Sequence, residues 1–231
     1  MTSIAANLQA VRERIETACL AAGRRQDSVT LLAVSKTWPA ASLREAAAAG
    51  QRCFGENYLQ EALDKMATLA NPALEWHFIG PLQSNKTRGV AENFAWVHSI
   101  DRLKLAERLA AQRPPALPPL KLCLQVNISG EASKSGCDPA EAPDLAAAIA
   151  RLPGVTLKGL MAIPEPSDDI ALQRSRFATL RTLLETINAR LGGALDTLSM
   201  GMSDDLEAAI MEGATIVRVG TAIFGQRQYQ T

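Results

Sequence analysis

Charge of one sign is what this sequence most plainly lacks. Lys+Arg and Asp+Glu both number 24, so the net charge at neutral pH is zero. No general basic field is available to hold nucleic acid or an anionic membrane, and any anion has to be bound locally. Long hydrophobic runs are missing too: nothing approaches the roughly 18 apolar residues of a membrane span. Met1 to Arg25 does not read as a signal peptide. Its apolar residues Ile4, Leu8, Val11, Ile15 and Cys19 recur at three- and four-residue spacing with charges between them, which is one face of an amphipathic helix. Cysteine is scarce, with four residues (Cys19, Cys53, Cys123, Cys137) and no CxxC pair. Reduced, mostly buried thiols of a cytoplasmic protein are the plain reading. The two histidines, His77 and His98, belong to no HxxxH or HExxH spacing, and a core or rim position is the plainer reading of each. No Ser-His-Asp order and no glycine-rich nucleotide loop stands out.

What is present is alternation. Short β-like runs at Val29–Ser35, Arg52–Phe54, Trp76–Gly80, Trp96–Ser99, Lys121–Asn127, Leu157–Ala162, Thr197–Met200 and Ile216–Gly220 are separated by Ala/Leu/Glu/Arg-rich helical stretches. One of these keeps Phe177, Leu180, Leu184, Ile187 and Leu191 in a 3-4-3-4 rhythm. Parallel neighbours need crossovers, so strand–helix alternation predicts a parallel sheet. Eight such units in 231 residues, 47% of them apolar, predict an α/β fold closed as a (β/α)8 barrel. An extra helix at about Ile4 to Leu20 precedes the first strand. The open doubly wound sheet is the runner-up. It usually carries a glycine-rich turn after its first strand, whereas here Ser35-Lys36-Thr37-Trp38-Pro39 follows. Arg113-Pro114-Pro115-Ala116-Leu117-Pro118-Pro119 is a stiff spacer before the fifth strand. Each side of it holds about half a barrel, so 1–231 reads as one domain.

Barrel chemistry sits at the C-terminal ends of the strands. Lys36 follows the apolar run Leu31-Leu32-Ala33-Val34, which puts its amine at the mouth. Burial lowers a lysine pKa and lets the neutral amine form a Schiff base with an aldehyde. From position alone, a lysine snorkelling at a loop edge is the plainer reading. After strands 7 and 8, Ser199 and Thr221 offer hydroxyls, and Gly201 and Gly220 let backbone N–H groups approach an anion. Tight-turn roles explain either segment alone; the two together favour a phosphate site. Arg218, inside the strand Ile216-Val217-Arg218-Val219, points opposite to Val217 and Val219. It either pairs with a carboxylate or faces a ligand's acceptor. Asp204-Asp205 reads as the first turn of a helix, where carboxylates favour the dipole.

Together Leu32-Ala33-Val34-Ser35-Lys36-Thr37, Phe54-Gly55-Glu56-Asn57-Tyr58, Trp76-His77-Phe78-Ile79-Gly80 with Gln83-Ser84-Asn85-Lys86, Gly159-Leu160-Met161-Ala162, Leu198-Ser199-Met200-Gly201-Met202-Ser203-Asp204-Asp205 and Arg218-Val219-Gly220-Thr221-Ala222-Ile223-Phe224-Gly225 resemble the pyridoxal phosphate homeostasis protein family. The resemblance runs in order along nearly the whole chain. It implies the fold-type III barrel of the alanine racemase N-terminal domain, and pyridoxal 5′-phosphate bound as a Schiff base on Lys36. It implies that Ser199, Gly220 and Thr221 hold the phosphate with the Met200 backbone nearby, that Arg218 meets the pyridine nitrogen, and that Asn57 lies near the ring. Met161 and His77 become neighbours of the cofactor, and Lys134 a possible second cofactor point. One position departs: relatives often have a second lysine where Trp38 stands, and Trp38 can instead pack over the mouth.

The resemblance implies a carrier or buffer of the cofactor rather than an efficient enzyme. Carbanion chemistry is best served by a protonated pyridine nitrogen, and arginine can only donate. Two-base racemisation needs a second base. In alanine racemase that base is a tyrosine from a further domain, whereas only Tyr58 and Tyr229 are present here. A small amino-acid racemase using Lys36 is the alternative, and a cofactor-free Schiff-base aldolase stands behind it. The expected partners are the cofactor and recipient apo-enzymes, in a cytoplasmic monomer with no nucleic acid or membrane contact.

Overall fold

The structure is a computed structural model that describes residues 3–129, 135–193 and 195–226. Eight parallel strands close into a barrel in chain order: β1 (Thr30–Val34), β2 (Cys53–Glu56), β3 (Glu75–Phe78), β4 (Trp96–Ile100), β5 (Leu120–Gln125), β6 (Val155–Met161), β7 (Thr197–Ser199) and β8 (Ile216–Val219). Closure is made by β8 on β1, with Thr30 opposite Ile216 and Ala33 opposite Val219. All eight expected runs are strands, and their ends differ from expectation by about two residues at most, the usual uncertainty of a boundary. Those small shifts matter at β2, which extends through Glu56, and at β3, which starts at Glu75.

The first helix, α1 (Ile4–Ala21), is capped by the Ser3 hydroxyl, which accepts the Ala6 N–H at 3.2 Å, and it buries Leu8, Val11, Ile15, Ala18 and Cys19. The crossovers are α2 (Ala40–Ala48), α3 (Leu59–Leu69), α4 (Thr87–Asn93), α5 (Leu103–Gln112), α6 (Ala142–Ile149), α7 (Ile170–Leu191) and α8 (Leu206–Met211), with the short α9 (Thr221–Phe224) after β8. α1 packs against α2, α8 and α9, beside the β8–β1 seam. The proline-rich spacer is the loop from α5 to β5. Among the described residues no helix is long and apolar enough to cross a membrane.

Alternation along each strand sorts side chains into two layers. Ala33, Phe54, Trp76, Phe78, Val97, Leu122, Leu124, Leu160, Leu198, Val217 and Val219 belong to the large cluster between sheet and helices. Leu32, Trp96, Cys123, Met161 and Ile216 form a separate cluster inside the barrel. With so few apolar residues on the inner face, the rest of the interior is polar, and His77, His98, Ser199 and Arg218 are all buried. The four cysteines are free thiols. Burial pushes Cys53 up to about 11 and Cys123 and Cys137 up to about 12, so all three stay protonated at neutral pH.

Candidate functional site

β1 delivers Lys36 to the C-terminal mouth on a tight turn. The Trp38 N–H donates to Ser35 O at 3.0 Å, which makes Lys36 and Thr37 the two central residues. Lys36 is half-buried. Thr37 has φ +68°, a left-handed conformation that a β-branched residue avoids. Such a residue costs about 1–3 kcal/mol and persists only where its surroundings hold it. Here the Thr37 N–H donates to the Glu61 carboxylate at 2.6 Å. Below the turn the buried Ser35 hydroxyl donates to Glu56 Oε1 at 2.6 Å. The buried Lys65 ammonium donates to Ser35 O, Glu56 Oε1 and Glu61 Oε1, which takes up its three hydrogens. Burial pushes the Glu56 carboxyl above its ordinary value, even with Lys65 and Ser35 pulling it down. Sequence reasoning missed this foundation. Its visible signals were Glu61 and Lys65 one helical turn apart on α3 and an acid ending the strand Cys53–Glu56.

Arg218 lies inside the barrel, 4% exposed. Its Nη1 donates to Ser199 O at 2.6 Å and to Ser199 Oγ at 2.9 Å, and Nη2 donates to Ala162 O at 2.8 Å. The inward orientation read from strand alternation holds. Of the two partners considered, a carboxylate is not the one found, since these acceptors are neutral oxygens. Burial pushes the guanidinium down to about 10, still charged at neutral pH. The Ser199 hydroxyl meets His98 Nδ1 at 2.8 Å, His98 Nε2 meets His77 Nδ1 at 3.0 Å, and His77 Nε2 meets Glu75 Oε1 at 3.1 Å. Lys121 reaches Glu75 Oε2 at 3.3 Å, and the Trp96 indole N–H donates to Glu75 Oε1 at 3.2 Å. Burial lowers both histidines, His98 well below the ordinary value, with Arg218 adding to the effect there. Burial thus favours the neutral imidazole at His77, against the pull of the Glu75 carboxylate. Glu75 is pulled down to about 2, first by the bond from His77, with Lys121 adding to it. Cys53, Glu75 and His77 bring one ligand atom each within 4.8 Å of the others, but Lys121 already neutralises this carboxylate.

This arrangement refines several expectations. Ser199 is fully buried, and its hydroxyl is committed to His98 and Arg218. Without ligand, that hydroxyl is engaged inside the barrel. The Met200 N–H donates to Ile216 O at 3.1 Å. His77 lies between Glu75 and His98 and is linked to Arg218 through His98 and Ser199. Both histidines are core residues, as their lack of metal spacing indicated. Met161 is buried on the inner face with Cys123, Leu32, Trp96 and Ile216.

At the rim, Gly201 has φ +92°, and a Cβ there would stand 2.6 Å from the Ala209 Cβ, so only glycine fits. Asp205 stands just before α8 rather than in its first turn, and its carboxylate accepts the Met202 N–H at 2.5 Å instead of capping the helix. Gly220 and Thr221 open the α9 turn beside β1, where a Cβ on Gly220 would come 3.1 Å from Val34 O. The Ser203 hydroxyl approaches the Ala222 N–H at 3.4 Å, so Ser203 joins this cradle, a residue not singled out from sequence. Trp38 stacks on Phe224 with centroids 5.8 Å apart, which packs it over this side of the mouth. Across the mouth, Asn57, Ile79, Pro81, Gln125, Ser135 and Ile163 line a cavity of about 200 Å³. Asn57 Oδ1 is buried there without a hydrogen-bond partner, and Gly80 packs so closely on Asn57 that a Cβ would lie 2.3 Å from its carbonyl oxygen. Lys134 lies outside the described residues. For a planar pyridine carrying an aldehyde and a phosphate, the mouth offers an amine, a buried cation, an unsatisfied acceptor and a turn of small residues. These groups fit the cofactor that the sequence resemblance implies.

Comparison with known proteins agrees with this fold. Residues 3–228 match the family described as alanine racemase, N-terminal domain. A pyridoxal phosphate homeostasis protein of Pseudomonas aeruginosa is 65% identical over 229 residues, covering 99% of this chain and 98% of the relative. The protein of that name from Escherichia coli is 53% identical over 232 residues, covering 99% of each. The solved structure of PipY from Synechococcus elongatus, with pyridoxal phosphate bound, superposes with a TM-score of 0.85 at 42% identity, covering 96% of this chain and 100% of that one. By this match along nearly its whole length, the chain belongs to the alanine racemase N-terminal domain family and, within it, to the pyridoxal phosphate homeostasis proteins.

Proposed function

We propose that this protein binds pyridoxal 5′-phosphate through Lys36 and serves as a carrier and buffer of the cofactor in the cytoplasm, the whole chain acting as one barrel domain and as a monomer. The observation that carries the reading is the Lys36 turn, a strained connection pinned by Glu61 and Lys65 at the mouth of the barrel whose relative PipY holds pyridoxal phosphate. When bound, the cofactor supplies an aldehyde that a lysine amine can capture and a ring that can take up electrons. Lys36 supplies the amine. The turn of Gly220, Thr221 and Ser203 would hold the phosphate, and Asn57 would contact the ring. Three of the five Arg218 N–H groups are spent on Ser199 and Ala162, which leaves two that would donate to the ring nitrogen. Because arginine only donates, it withholds the ring proton that would strengthen carbanion stabilisation, which favours storage over turnover. Handing the cofactor to apo-enzymes follows from an amine that captures it reversibly. Lys134 supplies a second contact.

The test is an absorbance titration with pyridoxal 5′-phosphate, then borohydride reduction and peptide mapping. The expected result is a new visible band and a reduced adduct on Lys36, both lost in Lys36→Ala while the far-ultraviolet circular dichroism is kept. An adduct elsewhere, or none, defeats the reading. Steady turnover of a D- or L-amino acid would move the protein to the racemase class.

A further inference from the structure

We infer that Glu75, His77 and His98 are positioning residues for Arg218, acting through Ser199 as a chain of hydrogen bonds with one allowed direction; the inference rests on the cofactor reading above. The chain runs down the barrel interior from Arg218 Nη1 to Ser199 Oγ (2.9 Å), His98 (2.8 Å), His77 (3.0 Å) and Glu75 (3.1 Å). It joins four strands, β8, β7, β4 and β3, and its three middle members are buried.

The two ends set the direction. Arginine has hydrogens and no acceptor, so Ser199 Oγ must accept from it. The carboxylate of Glu75 has acceptors only, so His77 must present a hydrogen on Nε2. A neutral His77 then has a bare Nδ1, which requires His98 to carry its hydrogen on Nε2. His98 Nδ1 is bare in turn and takes the single Ser199 hydrogen. Every donor meets an acceptor, and both imidazoles are neutral Nε2–H tautomers. The reverse order would place the bare His77 Nε2 against the Glu75 carboxylate and leave the Ser199 hydrogen without this acceptor. The competing arrangement is an imidazolium at His77: the Glu75 carboxylate favours it, burial opposes it more strongly, and the nearby Lys121 ammonium opposes it as well. Low local dielectric makes a fully satisfied chain rigid and a half-satisfied one costly. Ser199 Oγ is thereby held in one rotamer, and with it the Arg218 guanidinium that would meet the ring nitrogen. The lower support lies on the far side of the barrel interior from the mouth, where residues are ordinarily read as structural.

The chain holds only two histidines, which makes the direct test clean: nitrogen-15 NMR of the ring nitrogens in the cofactor-free protein at neutral pH. Both rings should be neutral with hydrogen on Nε2. A hydrogen on Nδ1 of either ring, or an imidazolium, overturns the inference. Glu75→Gln replaces the obligate acceptor with a group that can also donate. It should give mixed tautomers, weaken pyridoxal 5′-phosphate binding about tenfold and shift the bound absorbance band, with the urea midpoint little changed. Glu75→Asp, which keeps the carboxylate, should restore the wild-type tautomers and band. If Glu75→Gln alters the tautomers but leaves band and affinity as in wild type, the positioning role is wrong. If wild-type protein fails to trap the cofactor on Lys36, the cofactor reading fails first and takes the positioning role with it, while the NMR result still decides the direction of the chain.

Discussion

Replacing Lys65 by methionine keeps the length of the side chain and removes the ammonium on which the Lys36 turn rests. Lys65 is 5% exposed and Glu56 fully buried, so the deletion leaves a carboxylate stranded under the turn. Breaking a buried pair by removing one partner costs about 3–5 kcal/mol. A second route bounds the figure: Glu56 can escape by taking up a proton. For a carboxyl of ordinary pKa about 4.3, that costs roughly 3.7 kcal/mol at about pH 7 and only about 1 kcal/mol at about pH 5. Glu61 is partly exposed and turns to water, so it adds little. The expected loss is therefore about 3–4 kcal/mol at neutral pH, shrinking to about 1–2 at about pH 5. In a chain of this size that lowers Tm by roughly 10 °C at neutral pH. Urea unfolding at both pH values measures it. Lys65→Met combined with Glu56→Gln, which removes the stranded charge, should recover most of the loss. A cost below about 1 kcal/mol at neutral pH, or the same cost at both pH values, refutes the reasoning.

Stability should also fall as the solution is acidified below about pH 6.5. His77 and His98 are lowered by burial, so the unfolded chain binds protons that the native state refuses. The stabilisation is full above the unfolded pKa and is lost as pH falls toward the folded values. The slope approaches about 1.4 kcal/mol per pH unit for each histidine. Glu56 and Asp205, raised by burial, contribute with the opposite sign at lower pH. Urea midpoints between neutral pH and the onset of carboxylate titration would show the slope, and a flat profile would count against neutral buried imidazoles. Gly201→Ala should cost about 2–4 kcal/mol, from a φ of +92° and a Cβ 2.6 Å from that of Ala209; a wild-type melting curve would contradict the close approach. Trp38→Ala removes the stack on Phe224 from a partly buried site and should cost about 1–2 kcal/mol, with no change if the ring were simply solvated.

Much was legible without coordinates. Two periods, about 2 for strands and about 3.6 for helices, are local properties, and they located the eight strands and the first helix to within a residue or two. They also put Lys36 at the end of β1 and turned Arg218 inward. Glu75 and Glu56 were less legible, because strand ends are the least certain part of such a reading and each acid lies at one. The partners of Ser199 and Lys65 could not be read at all. Ser199 meets His98 across 101 positions and Arg218 across 19, and Lys65 meets Ser35 across 30. Strand alternation says that these side chains face the axis or the helix layer; it does not say at what height or beside whom. By itself, then, the sequence determined the order of elements, the closed parallel sheet and the residues at its mouth, since these follow from patterning along the chain. Only the tertiary structure decided that the Ser199 hydroxyl turns inward and that the Lys36 turn stands on a buried ion network. Both depend on barrel closure, which sets the register between distant strands and brings together groups that no local pattern relates.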